Sequence, residues 1–207
     1  KKKNLWVLLA DGRVGIFNTK RFTFREVPAH FKKPVSPNTA VKRLITDEYG
    51  NMFYLIAGSE VITWNEKANE FSYIHNFFKQ KEQWPGIADF RQQPGTQKYW
   101  MSIEGGGIAV YNKATGQLSY PGNNAEKEPV IEQYKTLSTL YHFYFDRLQR
   151  LWFIEWGNRS FPYIYCYDIK TNKPVVEKAE LISSLKTYHE IRGFFQQQDG
   201  TVWVKGL

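Results

Sequence analysis

Short hydrophobic runs alternate with polar turns along this chain, and the clearest copy of the pattern spans residues 39–74. It contains four apolar runs, at residues 41–45, 52–57, 61–64 and 71–74. Runs of this length, rich in β-branched and aromatic residues and bounded by Gly, Asn and Asp, are typical of strands in antiparallel hairpins. The copy therefore predicts four short strands joined by three tight turns.

An aromatic residue in the second strand of each copy indicates that the pattern repeats along the whole chain. It recurs with spacings of 47, 47, 52 and 51 residues, at Trp6, Phe53, Trp100, Trp152 and Trp203. A polar residue that closes the third strand recurs in step with it, at Asn18, Asn65, Asn112 and Asp168. Short polar side chains of this kind hydrogen-bond to nearby backbone in turns. The two markers together indicate one structural unit of about 50 residues, used several times.

Four strands per unit, this period and an aromatic residue within a strand predict an all-β fold, the β-propeller. Its four-stranded blades bury their faces against neighbouring blades. The repeats predict a partial blade, three complete blades and a second partial blade, at residues 1–27, 39–74, 87–120, 137–175 and 189–207. We therefore expect this chain to form an incomplete segment of a larger ring.

The composition excludes some kinds of site but does not identify a binding partner. The net charge of +8 is compatible with nucleic acid, an anionic glycan or no specific ligand. Cys166 is the single cysteine, which excludes an intrachain disulfide and a cysteine-based zinc site. Because it lies between two tyrosines in a predicted strand, we interpret it as a small core residue.

The sequence contains little that indicates catalysis, and we predict no catalytic residue, metal site or cofactor. The four histidines are isolated from one another, without the spacing of metal ligands. Asp47, Asp146 and Asp199 recur because each precedes a turn, where an aspartate caps local backbone. The glycines after Glu104 join two predicted strands and open no helix, so we predict a hairpin turn there and not a phosphate loop.

Ligand binding is the better hypothesis, and the predicted inner strands supply its candidate residues. The residues eleven positions before four of the aromatic markers are Lys42, Asp89, Tyr141 and Arg192. They suggest a polar central channel, which could be filled only by water or could bind a ligand. In the second case arginine and lysine bind carboxylate or sulfate through charge-assisted hydrogen bonds, and aromatic rings cover a sugar. The remaining predicted ligand-binding residues are Arg91, His142, Trp84 and Trp156.

The turn motif narrows the propeller class. Asp47, Gly50 and Phe53 fit the pattern Asp, two residues, Gly, two residues, aromatic, and residues 146–152 and 199–203 are variants of it. This pattern resembles the two-component regulator propeller repeat, found in the periplasmic sensor region of hybrid two-component system histidine kinases.

The resemblance implies a ligand-sensing segment of an inner-membrane protein that recognises an oligosaccharide and controls a cytoplasmic kinase and its phosphorelay. It also implies partners in the same full-length protein, namely the remaining blades, a downstream immunoglobulin-like module and a second copy in a homodimer. The segment itself is then not an enzyme, and we expect it to make no nucleic acid contact.

Two alternatives remain open. One is a propeller-fold glycan hydrolase or lyase, for which Asp89, Glu104, His142 and His189 are the available acid and base candidates. The other is a scaffold for protein partners, which the long segments between the blades permit. Turnover of a glycan would distinguish the first alternative from sensing, and binding only to a protein would favour the second.

Overall fold

The chain folds almost entirely into short strands. A computed structural model describes residues 4–31, 41–58, 61–73, 86–156, 162–180 and 191–206. Within these ranges the strands form five sheets that follow one another in chain order, and no helix there has the length and apolarity to cross a membrane. The all-β propeller prediction is confirmed.

The first two sheets come from the first third of the chain. Sheet 1 contains β1 (Asn4–Leu8), β2 (Val14–Asn18) and β3 (Thr23–Glu26). Sheet 2 contains β5 (Lys42–Thr46), β6 (Met52–Ile56), β7 (Val61–Asn65) and β8 (Glu70–Ser72). A fifth strand, β4 (Ala29–His30), pairs in parallel with β8 at the outer edge of sheet 2. The repeat pattern contains no strand at that place.

The other three sheets follow the same antiparallel order. Sheet 3 contains β9 (Ile87–Gln92), β10 (Lys98–Ile103), β11 (Ile108–Asn112) and β12 (Gln117–Ser119). Sheet 4 contains β13 (Leu140–Phe145), β14 (Arg150–Glu155), β15 (Tyr163–Asp168) and β16 (Lys173–Glu180). Sheet 5 contains β17 (Ile191–Gln196) and β18 (Val202–Gly206).

One short helix, α1 (Pro129–Gln133), lies between sheets 3 and 4. Its first residue is a proline, which suits a first helical turn because the missing N–H would have no partner there. The helix buries Val130 and Ile131, and the following Tyr134 packs edge-on against Phe153 with ring centroids 5.1 Å apart. The helix therefore extends the apolar core between the two sheets.

The hydrophobic core consists of layers between consecutive sheets. Trp6 of sheet 1 packs against Phe71 of sheet 2, with ring centroids 5.4 Å apart. Phe53 of sheet 2 packs against Phe90 of sheet 3, with ring centroids 5.0 Å apart. Further apolar layers join sheet 3 to sheet 4 and sheet 4 to sheet 5. Burial of each sheet against its neighbours is the packing expected of propeller blades.

The recurring polar markers cap turns, as predicted. The Asp47 carboxylate accepts hydrogen bonds from the backbone N–H groups of Tyr49 (3.0 Å) and Asn51 (2.8 Å). Asp146 accepts from its own hairpin in the same way. The markers that close the third strands also accept from backbone N–H groups in the turns that they open, and they are Asn18, Asn65, Asn112 and Asp168.

Two other sequence predictions are borne out by local structure. The glycines after Glu104 form the hairpin between β10 and β11, and all three have positive φ. A Cβ at Gly106 would lie 2.6 Å from the backbone oxygen of Leu137, so this turn needs a glycine. Cys166 is fully buried in β15, and burial raises the pKa of its thiol to about 12.

Candidate functional site

A cavity of about 730 Å³ lies where the first strands of sheets 2 to 5 come together. These first strands, β5, β9, β13 and β17, are the inner strands. The lining also includes the residue before β5, the residue after β14 and one residue of β18. The lining residues are Val41, Arg43, Arg91, Tyr141, His142, Phe143, Tyr144, Trp156, Ile191, Arg192, Gly193, Phe194 and Lys205.

Strand pairing defines which inner-strand residues are equivalent. The aromatic markers of sheets 2 to 5 pair with Ile45, Arg91, Tyr144 and Phe195. The residues two positions earlier on each inner strand occupy equivalent places around the centre. We call these four residues the axial ring, and they are Arg43, Asp89, His142 and Gly193.

Three members of the axial ring are joined by hydrogen bonds across three sheets. Arg43 donates from Nη1 to Asp89 Oδ2 over 2.6 Å, and its Nη2 lies 3.1 Å from His142 Nδ1. Because an arginine side chain only donates hydrogen bonds, Nδ1 of His142 acts as the acceptor and carries no proton. The guanidinium therefore links sheet 2 to sheets 3 and 4.

Asp89 is completely buried, with 0% exposure. Its Oδ1 accepts from the N–H of Phe90 (2.8 Å), and its Oδ2 also accepts from the N–H of Phe143 (2.9 Å). Burial acts to raise the pKa of this carboxyl, but the charges of Arg43 and Arg91 and the hydrogen bonds from Arg43 and the Phe90 N–H outweigh it and hold the pKa below its usual range. Asp89 is therefore ionised at neutral pH.

The inner strands of sheets 4 and 5 are irregular at their axial ring residues. The pairing of β13 with β14 shifts between Tyr141 and Tyr144, and His142 has a φ of 59°. Pairing shifts again at Gly193, which has a φ of 140°. A positive φ is uncommon outside glycine and concentrates at functional sites. The bulge places both Tyr141 and His142 in the cavity wall.

The wall of the cavity is cationic and aromatic. Its charged side chains are Arg43, Arg91, Arg192 and Lys205, and the described lining residues include no carboxylate. Arg91 is held by a bond from its Nε to the backbone oxygen of Phe143, at 3.2 Å. The aromatic residues Tyr141, Tyr144 and Trp156 also line the cavity, and all three are half-buried.

Comparison with solved structures places this fold among known propellers. One match is the extracellular domain of the hybrid two component system BT4673 from B. thetaiotaomicron, with a TM-score of 0.61 and 13% identity. A second is the extracellular domain of BT3049 from the same organism, with a TM-score of 0.52 and 12% identity. A third is the β-propeller domain of Cps50 (Swd1) from Myceliophteria thermophila, with a TM-score of 0.56 and 10% identity.

These likenesses show the fold. Each match covers 98% of this chain, which spans 24% of the BT4673 structure, 30% of the BT3049 structure and 67% of the Cps50 structure. No protein-family model matches the sequence, and no curated protein matches it either.

The structure brings five of the eight predicted ligand-binding residues together in the cavity wall. They are Arg91, Tyr141, His142, Trp156 and Arg192. Asp89 lies behind the wall as the buried partner of Arg43. Lys42 is not in the cavity lining, because its Nζ reaches the backbone oxygen of Asp11 in the hairpin of sheet 1, at 3.1 Å. Trp84 lies outside the described residues.

The sequence pattern missed Arg43, Tyr144 and Lys205. Counting eleven residues back from each aromatic marker reaches the axial ring only in sheet 3, whereas the other sheets need ten. The hairpin of sheet 3 is one residue longer. It is closed by a hydrogen bond from the Gln93 N–H to the Lys98 oxygen, whereas sheet 2 has the corresponding bond from the Asp47 N–H to the Asn51 oxygen. The early position of Gly95, five residues before Trp100 instead of three, is the signal that could have revealed this.

Proposed function

We propose that this chain is a ligand-sensing propeller segment of a hybrid two-component system sensor, and that it binds an acidic oligosaccharide in the axial cavity. Binding favours one arrangement of the sensor outside the cytoplasm, and a cytoplasmic kinase responds to that arrangement. Such a signal is a population shift, whose size is set by the difference in ligand affinity between the two arrangements.

The observation that carries the proposal is the chemistry of the cavity wall. Four cationic side chains converge on one space, and the nearby Asp89 is already paired with one of them. Arginine and lysine recognise carboxylate and sulfate groups through charge-assisted hydrogen bonds. Trp156 and Tyr144 add flat apolar surface for the face of a sugar ring. Cationic and aromatic groups together fit an acidic sugar better than a neutral one.

Two further points support the sensing part of the proposal. The turn motif resembles that of two-component regulator propellers, and two of the similar solved structures are extracellular domains of hybrid two component systems. The proposal includes a periplasmic location and, as partners in the full-length protein, further blades, an immunoglobulin-like module and a second copy.

Calorimetric titration of the native protein that contains this chain tests the proposal. The titrants are the tetrasaccharides of galacturonate and of chondroitin sulfate, with maltotetraose as the neutral sugar, each at low and high salt. We expect an acidic tetrasaccharide to bind, and more weakly at high salt because mobile ions screen exposed charges. The double variant Arg91→Ala, Arg192→Ala should lose at least about 100-fold in affinity, since each charged hydrogen bond contributes about 1.5–3 kcal/mol.

The matched control is Arg21→Ala, Lys170→Ala, which removes the same two charges from exposed turns outside the cavity lining. Binding that is equally weakened in both double variants would indicate nonspecific attraction to net charge. Absence of binding by every glycan contradicts the proposal and favours the protein scaffold. Release of shortened sugars during the titration favours the hydrolase or lyase.

A further inference from the structure

Asp89 carries an inference that deepens the proposed function and rests on it. We propose that Asp89 is a positioning residue, which gives the anion site its shape although it does not touch the ligand. It orients the guanidinium of Arg43, and it holds the part of β13 that brings Tyr141 and His142 into the wall.

Three hydrogen-bond donors surround the carboxylate of Asp89. Oδ2 receives both Arg43 Nη1, at 2.6 Å, and the backbone N–H of Phe143, at 2.9 Å. One oxygen atom therefore joins a side chain of sheet 2 to the backbone of sheet 4. Oδ1 accepts from the N–H of Phe90 in its own strand, which limits rotation of the carboxylate.

This arrangement also fixes the orientation of Arg43. With Nη1 on Asp89 and Nη2 facing His142 Nδ1, the planar guanidinium is held at two points. An arginine held in this way loses less conformational freedom when it meets a ligand, so more of the contact energy appears as affinity. The exposed fraction of its side chain is 16%, and the residue lines the cavity.

Asp89 also contacts the bulge in β13. Phe143 follows His142, whose φ of 59° is unfavourable for a residue with a side chain. The bond from the Phe143 N–H to Asp89, and the bond from Arg91 Nε to the Phe143 oxygen, hold this residue on both sides of its backbone. Asp89 therefore helps to maintain a conformation that β13 would otherwise leave.

This role and simple charge attraction predict opposite effects for Asp89→Asn. Removing a negative charge beside an anion site should strengthen anion binding if only charge matters. If Asp89 positions the site, binding should weaken. Asparagine must turn its NH₂ group toward either the Phe90 N–H or the two donors at Oδ2, and both directions place donor against donor.

Asp146→Asn is a matched control. Asp146 also has a side chain with 0% exposure and an arginine at 2.6 Å, but its partner Arg150 lies in the same hairpin at the other end of β13. It is absent from the cavity lining. Both variants should lower the melting temperature, and only Asp89→Asn should change affinity for the acidic tetrasaccharide that the wild-type protein binds.

We expect Asp89→Asn to weaken binding about tenfold or more, with Asp146→Asn within twofold of wild type. Unchanged or tighter binding by Asp89→Asn overturns the positioning role and leaves the proposed function intact. A wild-type protein that binds none of the acidic tetrasaccharides overturns both.

A second variant covers the case in which Asp89→Asn does not fold. Arg43→Lys keeps the charge, but a lysine cannot hold Asp89 and His142 with one planar group. The positioning role predicts weaker binding by this variant as well, by about tenfold. A role limited to net charge predicts an affinity equal to wild type, and that result would contradict the inference.

Discussion

Two buried carboxylate–arginine pairs in this molecule have similar geometry, but one joins neighbouring residues of the chain and the other joins distant ones. In each pair the carboxylate side chain has 0% exposure and lies 2.6 Å from the guanidinium, whose side chain is 16% exposed in Arg43 and 22% exposed in Arg150. Arg150 and Asp146 are four residues apart in one hairpin. Arg43 and Asp89 are 46 residues apart and join two sheets.

The comparison separates two uses of the same chemistry. The carboxylate of Asp146 also accepts from the Trp152 indole and from two backbone N–H groups of its own turn, so the pair completes a local hairpin. The carboxylate of Asp89 accepts from sheets 2, 3 and 4. The first pair stabilises a repeat unit, whereas the second fixes the relation between units.

Replacing the arginine of each pair with alanine should give the largest difference in stability between the two pairs. Arg43→Ala leaves a fully buried charge without its ionic partner, and we expect the free energy of unfolding to fall by about 3–5 kcal/mol. Arg150→Ala should cost about 1–2 kcal/mol, because the Trp152 N–H still satisfies the carboxylate. Urea denaturation of the two variants measures both costs.

Hydrogen exchange provides the spatial control for this prediction. Arg43→Ala should speed exchange of the Phe90 and Phe143 amides, which lie in two different sheets. Arg150→Ala should affect only the hairpin between β13 and β14. Equal costs together with equally local exchange would show that the long-range pair has no special role between the sheets.

Lowering the pH should weaken both pairs, and it tests them without mutation of the arginines. Both carboxyl pKa values lie below the ordinary 3.8, because ionic and hydrogen-bonding partners outweigh the opposing effect of burial. A lowered pKa contributes stability that is present above the ordinary value and is lost as the pH falls through the folded value. Each pKa unit corresponds to about 1.4 kcal/mol.

We therefore expect the stability gap between wild type and Asp89→Asn to narrow as the pH is lowered from 7 to 3, and likewise for Asp146→Asn. Denaturation curves at pH 7, 5 and 3 measure the gap. A gap that stays constant over this range would mean that the carboxylate charge does not contribute to folding.

The smallest expected effect concerns the turn that contains the local pair. Gln149 has a φ of 65° at the position that glycine occupies in the equivalent turns of sheets 2 and 5, where Gly50 and Gly200 also have positive φ. Its buried Oε1 has no hydrogen-bond partner in the described structure. Gln149→Gly should raise the free energy of unfolding by about 0.5–1 kcal/mol.

Gly50→Ala is the reverse experiment and should lower the free energy of unfolding by about the same amount. Its Cβ would meet no atom within 4 Å, so backbone strain alone produces the loss. A destabilised Gln149→Gly variant would show that the glutamine makes a contact that outweighs its backbone strain.

The sequence was sufficient for the repeat unit, because each unit depends on local contacts. Turn-capping residues such as Asp47 and Asn65 act on backbone within four positions, so their spacing in the chain reflects their role. The tyrosines on either side of Cys166 likewise indicated a strand, and the glycines after Glu104 indicated a hairpin. Short hydrophobic runs between polar turns also located the strands whose side chains pack between the sheets.

The site was predicted only in part, because it depends on alignment between units. Because the hairpin after Gln93 has one additional residue, a count of eleven residues back from the aromatic marker reaches the axial ring in sheet 3 only. In sheet 2 the same count reaches Lys42, the residue before Arg43. The pairing of β4 with β8 and the burial of α1 likewise depend on contacts between segments, and no local pattern encodes them. Arg192 lies one position before Gly193 of the axial ring and Arg91 two positions after Asp89, and both still line the cavity.

The network of Arg43, Asp89 and His142 closes late when the chain folds. Arg43 and His142 are 99 residues apart, so the network cannot form until sheets 2, 3 and 4 have come together. Each sheet can form its own hairpins earlier, since local contacts are made quickly and distant ones slowly. The axial cavity is therefore completed last, on blades that have already folded.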